Sequence, residues 1–404
     1  MKFLENIAIN PQVNLKKGKR YPFIDMASVS TQSREPNYIS EKIFNSGVKF
    51  QKGDTVIARI EPCLQNGKKF YCKNIDSGFG STEYLVFRPK NSNVDSLYLY
   101  YFMQQRFIQQ KMINSMSGAT GRQRVNNSVF NDLEISLPPL YIQQKIALIL
   151  SAYDDLIDNN RRQIKLLEEA AQRLYKEWFV DLRFPGHEDV KIIEGVPEGW
   201  RVGTLGEIVG RLEAGSRPKG GINNLLSEGV ASVGAENVLG LGQYNFASEK
   251  LISQEFFNKM SKGKIADKDI LIYKDGAYIG RTSLFQDGFP HKMSAVNEHV
   301  FLLHTLDEQF QYYTFFTLYR KEYFMKIQKL NKNAAQPGIN KNAIMSLEIL
   351  LPPAEIVEKF SEYVTASMSN IFVKAKQIKF LSEARDRLLP KLMSGEISLE
   401  EMKS

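Results

Sequence analysis

The chain has little cysteine and no long hydrophobic run, and each absence narrows its class. Among 404 residues only Cys63 and Cys72 are cysteines, which excludes a disulfide framework and favours the reducing cytoplasm. No stretch of about 18 apolar residues occurs, so we expect no membrane span. The first ten residues include Glu5 and lack a signal-type apolar run, so we do not expect secretion.

Motifs for catalysis and cofactor binding are also missing. The segment Gly276–Thr282 lacks the lysine and the spacing of a phosphate-binding Walker loop. Cys63 and Cys72 have no histidine near them, which argues against a zinc site. His299 and His304 are wrongly spaced for a metalloprotease helix. The sequence therefore predicts no catalytic site, no metal and no cofactor, and it points to binding.

The charge of the chain is unevenly distributed. The net charge is +8, and residues 1–141 contain 19 basic and 11 acidic residues, which is the whole excess. The segments 142–178, 179–353 and 354–404 are each balanced. A local basic excess favours a polyanionic partner, most simply nucleic acid. The alternative is a charge that serves solubility and has no partner.

The sequence contains a long internal repeat. Leu137-Pro138-Pro139 and Leu351-Pro352-Pro353 are 214 residues apart, and the same offset, within one residue, relates several other landmarks. The pairs are Asp54–Ile57 with Asp269–Ile272, Glu83 with Glu298, Tyr98 with Tyr312, Tyr101-Phe102 with Phe315-Phe316, Arg106 with Arg320, and Asn126 with Asn340. A period this long predicts two copies of one module, each a globular part followed by a long helix.

Each copy ends in a segment with coiled-coil periodicity. Residues 142–178 carry apolar or semi-polar side chains at steps of three and four, with the polar Asn160 inside the seam. A similar seam runs from Val364 to Leu392, where Pro390 is expected to end or kink the helix. A helix of this size is about 55 Å long, so each seam requires a partner helix. We expect the two helices to pack antiparallel with one head at each end; the alternative is that each packs on a separate subunit.

The globular parts have mixed character. Strand-like runs lie at Thr55–Ile60, Tyr84–Phe87, Ile270–Lys274 and His299–Leu303, and we expect short closing strands within 127–137 and 342–351. Aromatic-rich helical segments lie at 97–113 and 310–327, and their aromatic residues are predicted to pack in the core. The predicted fold is α+β, with two similar globular domains separated by two long helices. The predicted boundaries are 1–139, 140–181, 182–353 and 354–404.

Three basic segments of the first head are candidates for contact with nucleic acid. The first is a compact basic run, the second is an arginine in a strand-like segment, and the third is a glycine-rich loop at 118–124. Arginine, lysine and amide side chains bind phosphates and base edges, although solvated loops or an edge-strand charge would explain the same residues. The candidates are Lys16, Lys17, Lys19, Arg20, Arg59, Arg122, Gln123 and Arg124.

The second head has a corresponding region, with different side chains. Its candidates for nucleic-acid contact are Lys274, Arg281, Lys329 and Lys332. Two copies meant for identical half-sites would match more closely than these do. We therefore infer that the target is two unlike DNA elements separated by a gap.

The order and duplication of these motifs resemble the specificity subunit of type I restriction–modification systems over nearly the whole chain. The resemblance depends on the segments 53–59 and 268–272, and on the glycine-rich loop before Asn126. It also depends on the entry from Leu-Pro-Pro into Gln143-Gln144-Lys145-Ile146-Ala147, and on the terminal run 388–395. The chain departs from the pattern at Val357-Glu358-Lys359, where the paired glutamines are missing, so we expect one docking surface to be weaker.

The resemblance implies a function without catalysis by this chain. Each head would be a target-recognition domain that reads one half of a bipartite, asymmetric sequence in double-stranded DNA. The helices would set the untouched spacer and bind two methyltransferase subunits, which restriction subunits then join. S-adenosylmethionine and ATP would belong to those partners, so this chain is expected to bind no cofactor. The candidate docking residues are Gln143, Gln144, Arg161, Arg162, Lys374 and Lys379.

Two other functions remain open at this stage. A coiled-coil scaffold with two protein-binding heads would share the repeat and the long helices, but it would show no salt-dependent affinity for DNA. A nuclease or methyltransferase with unrecognised motifs would modify DNA as the isolated chain.

Overall fold

The computed structural model describes residues 1–221, 226–331 and 338–399. The chain forms two compact units. Unit 1 comprises residues 1–159 and 379 onwards, and unit 2 comprises residues 160–378. Each unit therefore contains one globular head and one part of each long helix. No helix among the described residues is both long enough and apolar enough to cross a membrane.

Unit 1 contains two four-stranded sheets and three short helices before the first long helix. The strands are β1 Ile7–Ile9, β2 Arg20–Ile24, β3 Ser40–Ile43, β4 Val48–Gln51, β5 Thr55–Ala58, β6 Lys69–Tyr71, β7 Ser77–Gly80 and β8 Tyr84–Pro89. The helices are α1 Phe3–Asn6, α2 Ser96–Phe102, α3 Arg106–Asn114, a 3-10 turn Asn127–Phe130 and α4 Leu140–Phe179. The strand orders are β1-β8-β5-β6 and β3-β2-β7-β4.

Unit 2 contains strands β9–β19 and helices α5–α9. The strands are β9 Ile192–Ile193, β10 Val196–Pro197, β11 Arg201–Thr204, β12 Val209–Ala214, β13 Val230–Val233, β14 Leu251–Ile252, β15 Ile270–Tyr273, β16 Thr282–Leu284, β17 Ser294–Val296, β18 Val300–Thr305 and β19 Glu348–Leu351. The helices are α5 Gln254–Lys259, α6 Phe310–Tyr319, α7 Lys321–Lys329, α8 Lys341–Met345 and α9 Ala354–Ser394. Four 3-10 turns lie at His187–Asp189, Leu205–Glu207, Ala235–Asn237 and Phe246–Ser248.

The sheet topology confirms the internal repeat. The main sheet of unit 2 has the order β12-β18-β15-β16, which matches β1-β8-β5-β6 of unit 1 strand for strand. A second sheet in each unit contains one parallel pair, β2 with β7 in unit 1 and β13 with β17 in unit 2. The predicted α+β class with two similar heads is thus confirmed.

The central strand β5 is buried on both faces, and its alternating side chains explain why. Ile57 faces the core that contains α2, together with Leu85 of β8. Val56 faces the opposite core, which lies between the two sheets and includes Phe50 and Phe70. Successive side chains of a strand point to opposite faces, so a continuous apolar run fits a strand covered on both sides.

The two long helices pack antiparallel within each unit. In unit 2, the Trp178 ring of α4 lies 6.0 Å from the Phe360 ring of α9, whereas Ile164 of α4 and both Ile371 and Ala375 of α9 surround Gly242. In unit 1, Asp154 pairs with Arg385, and the Lys145 ammonium donates to the carbonyl of Leu399. In both units, residues with higher numbers in α4 therefore contact residues with lower numbers at the C-terminal helix. This confirms the predicted antiparallel coiled coil.

The predicted seam of α4 is off by one residue between Ile149 and Leu156, whereas its first positions, Ile142 and Ile146, are buried as predicted. Leu156 was expected in the interface and is 52% exposed, whereas Ile157 is 1% exposed. The buried row includes Asp154, an acidic residue that a search for apolar periodicity passes over. Asp154 is accommodated because Arg385 and Tyr101 bind its carboxylate. Asn160, predicted inside the seam, is buried.

The helix starts agree with the Pro-Pro boundaries, and other bounds differ from the prediction. The Pro139 carbonyl accepts the first helical hydrogen bonds of α4, and Pro353 does the same for α9. Helix α9 does not end at Pro390 but continues to Ser394. Pro390 is exposed, so water can solvate the carbonyl that a proline cannot bond.

Three segments of the heads differ from the sequence-based expectation. Each aromatic-rich helical segment is two helices, because the chain becomes extended at Gln105 and at Arg320. The closing strand expected within 127–137 is a 3-10 turn followed by an isolated bridge between Glu134 and Lys2, whereas the second closing strand is β19. The aromatic residues of both segments are buried as predicted; they are Tyr98, Tyr101, Phe102, Tyr312, Tyr313, Phe315 and Phe316.

Gln143 shows how the head is fixed to the start of α4. It is 1% exposed; its amide nitrogen donates to the carbonyls of Asn93 and Pro138, and its amide oxygen accepts from the backbone N–H of Asp95. The residue at the repeat position, Val357, is also buried. The missing glutamine at Val357 therefore changes the interior of unit 2 rather than its surface.

We expect Gln143→Leu to lower the free energy of unfolding of unit 1 by about 1–3 kcal/mol, because the substitution removes three hydrogen bonds to partly buried backbone groups. Urea denaturation followed by circular dichroism measures this. Gln144→Leu is the matched control, since Gln144 is exposed and should change the free energy of unfolding by less than about 0.5 kcal/mol. Equal effects of the two substitutions would contradict the role given to Gln143.

Candidate functional site

The candidate loop of unit 1 lies against one end of the main sheet. The backbone N–H of Arg59, which follows β5, donates to the carbonyl of Glu83, which precedes β8. The carbonyl of Arg59 accepts from Val125, and the carbonyl of Gln123 accepts from the N–H of Glu61. The strand ends thus bring Arg59 together with the glycine-rich loop, two candidates that the sequence offered separately.

Within this loop, the two arginines have different environments. The Arg124 guanidinium donates through Nε and Nη2 to the Glu83 carboxylate at 2.7–3.0 Å, and through Nη1 to the carbonyl of Arg122. The hydrogen bonds and the charge of Glu83 raise the pKa of Arg124. Arg122 is exposed, and no described residue accepts a hydrogen bond from its side chain. Arg124 therefore fixes the loop, and Arg122 is available to a ligand.

The basic run of unit 1 lies elsewhere. Lys16, Lys17 and Lys19 are exposed in the turn that leads into β2, and Arg20 begins that strand. The other end of β2 continues to Asp25, whose carbonyl accepts from the Tyr84 hydroxyl beside Glu83. The run is therefore at the end of β2 that is distant from the glycine-rich loop, and the structure does not join the two.

In unit 2, the end of the main sheet that corresponds to the Arg59 end in unit 1 also carries charged side chains. Lys274 and Asp275 follow β15, and His299 precedes β18. The His299 Nδ1 is 2.9 Å from the Asp275 carboxylate, and the Lys274 ammonium donates to the same carboxylate at 2.8 Å. The Arg217 Nε is 2.7 Å from the Glu298 carboxylate. Glu298 is the repeat partner of Glu83, so each unit places an arginine on the same acidic residue, although the arginine comes from a different segment.

Two of the three remaining candidates of unit 2, Arg281 and Lys329, lie within the described residues. Arg281 precedes β16 at this same end of the sheet, because its carbonyl accepts from the N–H of Tyr273. Lys329 is the last residue of α7 and is exposed. Lys332 lies outside the described residues. The chain returns at Gly338, which forms a bridge with Asp275. Sequence reasoning missed Arg217 and Tyr278, and it used Glu83 and Glu298 only as markers of the repeat.

The candidate docking residues occupy different environments on the helices. Gln144 and Arg162 are exposed, whereas Arg161, Lys374 and Lys379 are half-buried. Gln143 is buried and its amide groups are bonded, so the structure does not place it on a surface. No group of histidine, cysteine, aspartate or glutamate residues suited to a metal ion occurs within the described part of the chain.

The fold is one domain in two copies, and each copy carries a candidate cluster of charged side chains at the same end of its main sheet. A model of the type I restriction modification DNA specificity domain matches residues 5–169 and 197–379, and the chain belongs to this family. It contains two copies of that domain, which correspond to the two repeats of the sequence.

Individual relatives span most of the chain. A protein of Methanocaldococcus jannaschii named type I restriction enzyme MjaIX specificity subunit is 29% identical over 326 residues, which is 78% of this chain and 72% of that protein. The HindI specificity subunit of Haemophilus influenzae is 24% identical and covers 86% of this chain and 87% of its own length. The crystal structure of an S subunit from M. genitalium aligns over 96% of this chain and 94% of its own, with a TM-score of 0.55 and 16% identity, which shows a common fold.

Proposed function

We propose that this chain is the DNA sequence-specificity subunit of a type I restriction–modification system and that it reads two unlike half-sites of double-stranded DNA. The observation that carries the proposal is the pair of equivalent clusters at the same end of the same sheet in each unit. The clusters share an acidic residue bound by an arginine, but their exposed side chains differ. Membership of a family defined by DNA specificity supports the same conclusion.

In this proposal, unit 1 contacts DNA through two kinds of surface. Arg59, Arg122 and Gln123 lie around the glycine-rich loop, where arginine and amide groups can reach base edges. The lysines at 16, 17 and 19 are exposed and bind phosphates without reading sequence. The concentration of the whole net charge in residues 1–141 supports a strong electrostatic contribution from this unit.

The long helices are proposed to bind methyltransferase subunits, which restriction subunits then join. Several large apolar side chains on the helices are exposed and therefore available to a partner; Leu148 is 70% exposed, Leu166 63% and Phe380 63%. Methyl transfer and DNA cleavage would take place on those partners. A DNA target and two free cysteines support the proposal that the chain acts in the cytoplasm.

The proposed function is tested by mapping adenine methylation in random-sequence DNA after exposure to the reconstituted complex with methyltransferase subunits. We expect methylation confined to one asymmetric, two-part sequence, and we expect affinity to fall steeply as salt rises, because phosphate contacts release counterions. Methylation that is independent of sequence, or binding that does not respond to salt, would support the scaffold alternative. Modification by the isolated chain would support the enzyme alternative.

A further inference from the structure

The loop between β15 and β16 of unit 2 is anchored by one buried side chain, Ile279, which we call its plug. Ile279 is 3% exposed and packs in the main core of the unit. Gly280 has a φ of +87°, which strains other residues, and a Cβ atom there would be crowded against Ile327 Cγ2 of α7 at 3.0 Å. The N–H of Gly280 donates to Tyr273, and the N–H of Arg281 donates to Tyr278. The loop is thus fixed at both its plug and its ends.

The residues beside the plug face outwards as a stacked pair. Tyr278 is 56% exposed, and the centre of the Arg281 guanidinium lies 4.2 Å from the centroid of its ring. This contact holds the guanidinium by a cation–π interaction. No described residue accepts a hydrogen bond from the Arg281 side chain, whereas Arg217 and Lys274 at the same end are each paired with a carboxylate. Arg281 therefore presents a pre-oriented set of unused donors.

Unit 1 uses the equivalent loop differently. Its plug is Leu64, which is 2% exposed. The residue that corresponds to Arg281 by its hydrogen bond to the end of the preceding strand is Lys68. The Lys68 ammonium donates to the carbonyl of Met26 at 2.6 Å, and the position before the plug is Cys63 instead of an aromatic residue. The stacked arginine is consequently a feature of unit 2.

We propose that Arg281 is a specificity-determining residue of unit 2 that reads guanine in its half-site, and that Tyr278 is the positioning residue that orients it. This inference rests on the proposed function. A guanidinium fork matches the O6 and N7 acceptors of guanine in the major groove, and it does so by two parallel hydrogen bonds that a lysine cannot reproduce. A stacked ring reduces the conformational freedom that the arginine loses on binding.

The test uses the complete chain, reconstituted with its methyltransferase subunits, and a randomised pool of DNA duplexes. The sequences selected by the wild-type complex define the two half-sites. We expect Arg281→Ala to remove the preference for guanine at one base pair of one half-site, by a factor on the order of 10 to 100. All other positions should keep their preferences. Arg281→Lys should resemble Arg281→Ala.

The role of Tyr278 is separated from a purely structural one by a conservative pair of variants. Tyr278→Phe keeps the ring and should select as the wild type does, whereas Tyr278→Ala should weaken the preference at the same base pair as Arg281→Ala. Arg201→Ala is the control: Arg201 is an exposed arginine paired with Glu207, at the opposite end of the main sheet from His299. Its selection should be unchanged.

The possible outcomes distinguish this inference from the proposed function. If the wild-type complex selects no sequence, the proposed function fails. If the wild type selects but Arg281→Ala or Arg281→Lys selects the same bases, the inference is overturned and the function stands. A uniform loss of affinity for all duplexes would make Arg281 a phosphate contact, which also overturns the inference.

Discussion

Asp154→Met should lower the free energy of unfolding of unit 1 by about 1–3 kcal/mol, because it removes one of the two carboxylates that bind the half-buried Arg385, the other being the exposed Asp386, and it takes the acceptor away from the buried Tyr101 hydroxyl. The Arg385 guanidinium donates to one oxygen of Asp154 at 2.5 Å, and the Tyr101 hydroxyl donates to the other at 2.5 Å. Burial raises the pKa of Tyr101, so its hydroxyl remains a donor. Burial, together with the nearby Arg385, also lowers the pKa of Lys69 to about 8.

Unit 2 supplies an apolar version of the same arrangement. The repeat offset of 214 residues relates Asp154 to Met368, Tyr101 to Phe315 and, in the reverse direction, Arg385 to Ala171; all three of these counterparts are buried. Replacement of a buried ion pair by apolar residues is often neutral or stabilising. We therefore expect Asp154→Met combined with Arg385→Ala and Tyr101→Phe to recover most of the lost stability.

Two spectroscopic signals separate the units in this experiment. Both tryptophans of the chain, Trp178 and Trp200, belong to unit 2, so their fluorescence follows unit 2 while circular dichroism follows both units. Asp154→Met should produce an earlier urea transition by circular dichroism with an unchanged fluorescence midpoint. A single variant as stable as the wild type, or a triple variant less stable than the single one, would show that the ion pair does not act as described.

The second large effect is expected in the glycine-rich loop of unit 1, where Arg122→Ala should weaken selection at one base pair by about 1–3 kcal/mol. Arg122 is exposed and has unused donors, which makes it the base-reading candidate. Arg124→Ala should act indirectly, because the donors of Arg124 are bonded to Glu83 and to the carbonyl of Arg122. Glu83→Gln should therefore reproduce much of the effect of Arg124→Ala.

A comparison with a phosphate contact makes this prediction specific. Lys17→Ala should weaken binding to all duplexes equally and reduce the slope of affinity against salt by about one. Selection from randomised duplexes and salt titration measure the two effects separately. The loop assignment would have to be abandoned if Arg122→Ala selected the wild-type sequences, or if it behaved like Lys17→Ala.

Much of the architecture could be predicted because it depends on long-range regularities of the sequence. The repeat offset, the Pro-Pro boundaries and the periodicity of three and four residues are visible without coordinates. The register of the α4 seam between Ile149 and Leu156 was missed because Asp154 is buried by a partner 231 residues away. The breaks at Gln105 and Arg320 were missed because neither residue is a strong helix breaker.

The binding clusters could be predicted only in part. Arg59 and the loop at 118–124 were chosen as candidates from residue type, and the hydrogen bond from the Val125 N–H to the Arg59 carbonyl brings them together. Arg217 was missed because it precedes β15 by more than 50 residues. It reaches Glu298 because β12, which ends shortly before Arg217, pairs with β18, which begins shortly after Glu298. The shared offset of Glu83 and Glu298 was the available signal for that site. Tyr278 gave no signal of its own, since a single exposed aromatic residue is ordinary.

The loops that Leu64 and Ile279 anchor have a consequence for how the chain could come to recognise a different DNA sequence. In each unit the side chain that holds the loop, Leu64 or Ile279, is buried, and one neighbour in sequence, Gln65 or Tyr278, is exposed. The buried residue thus contributes to stability, and the exposed residue beside it is left for recognition. Mutations at the outward position can then accumulate at little thermodynamic expense, so the chain can drift towards a different cognate sequence while its scaffold stays intact.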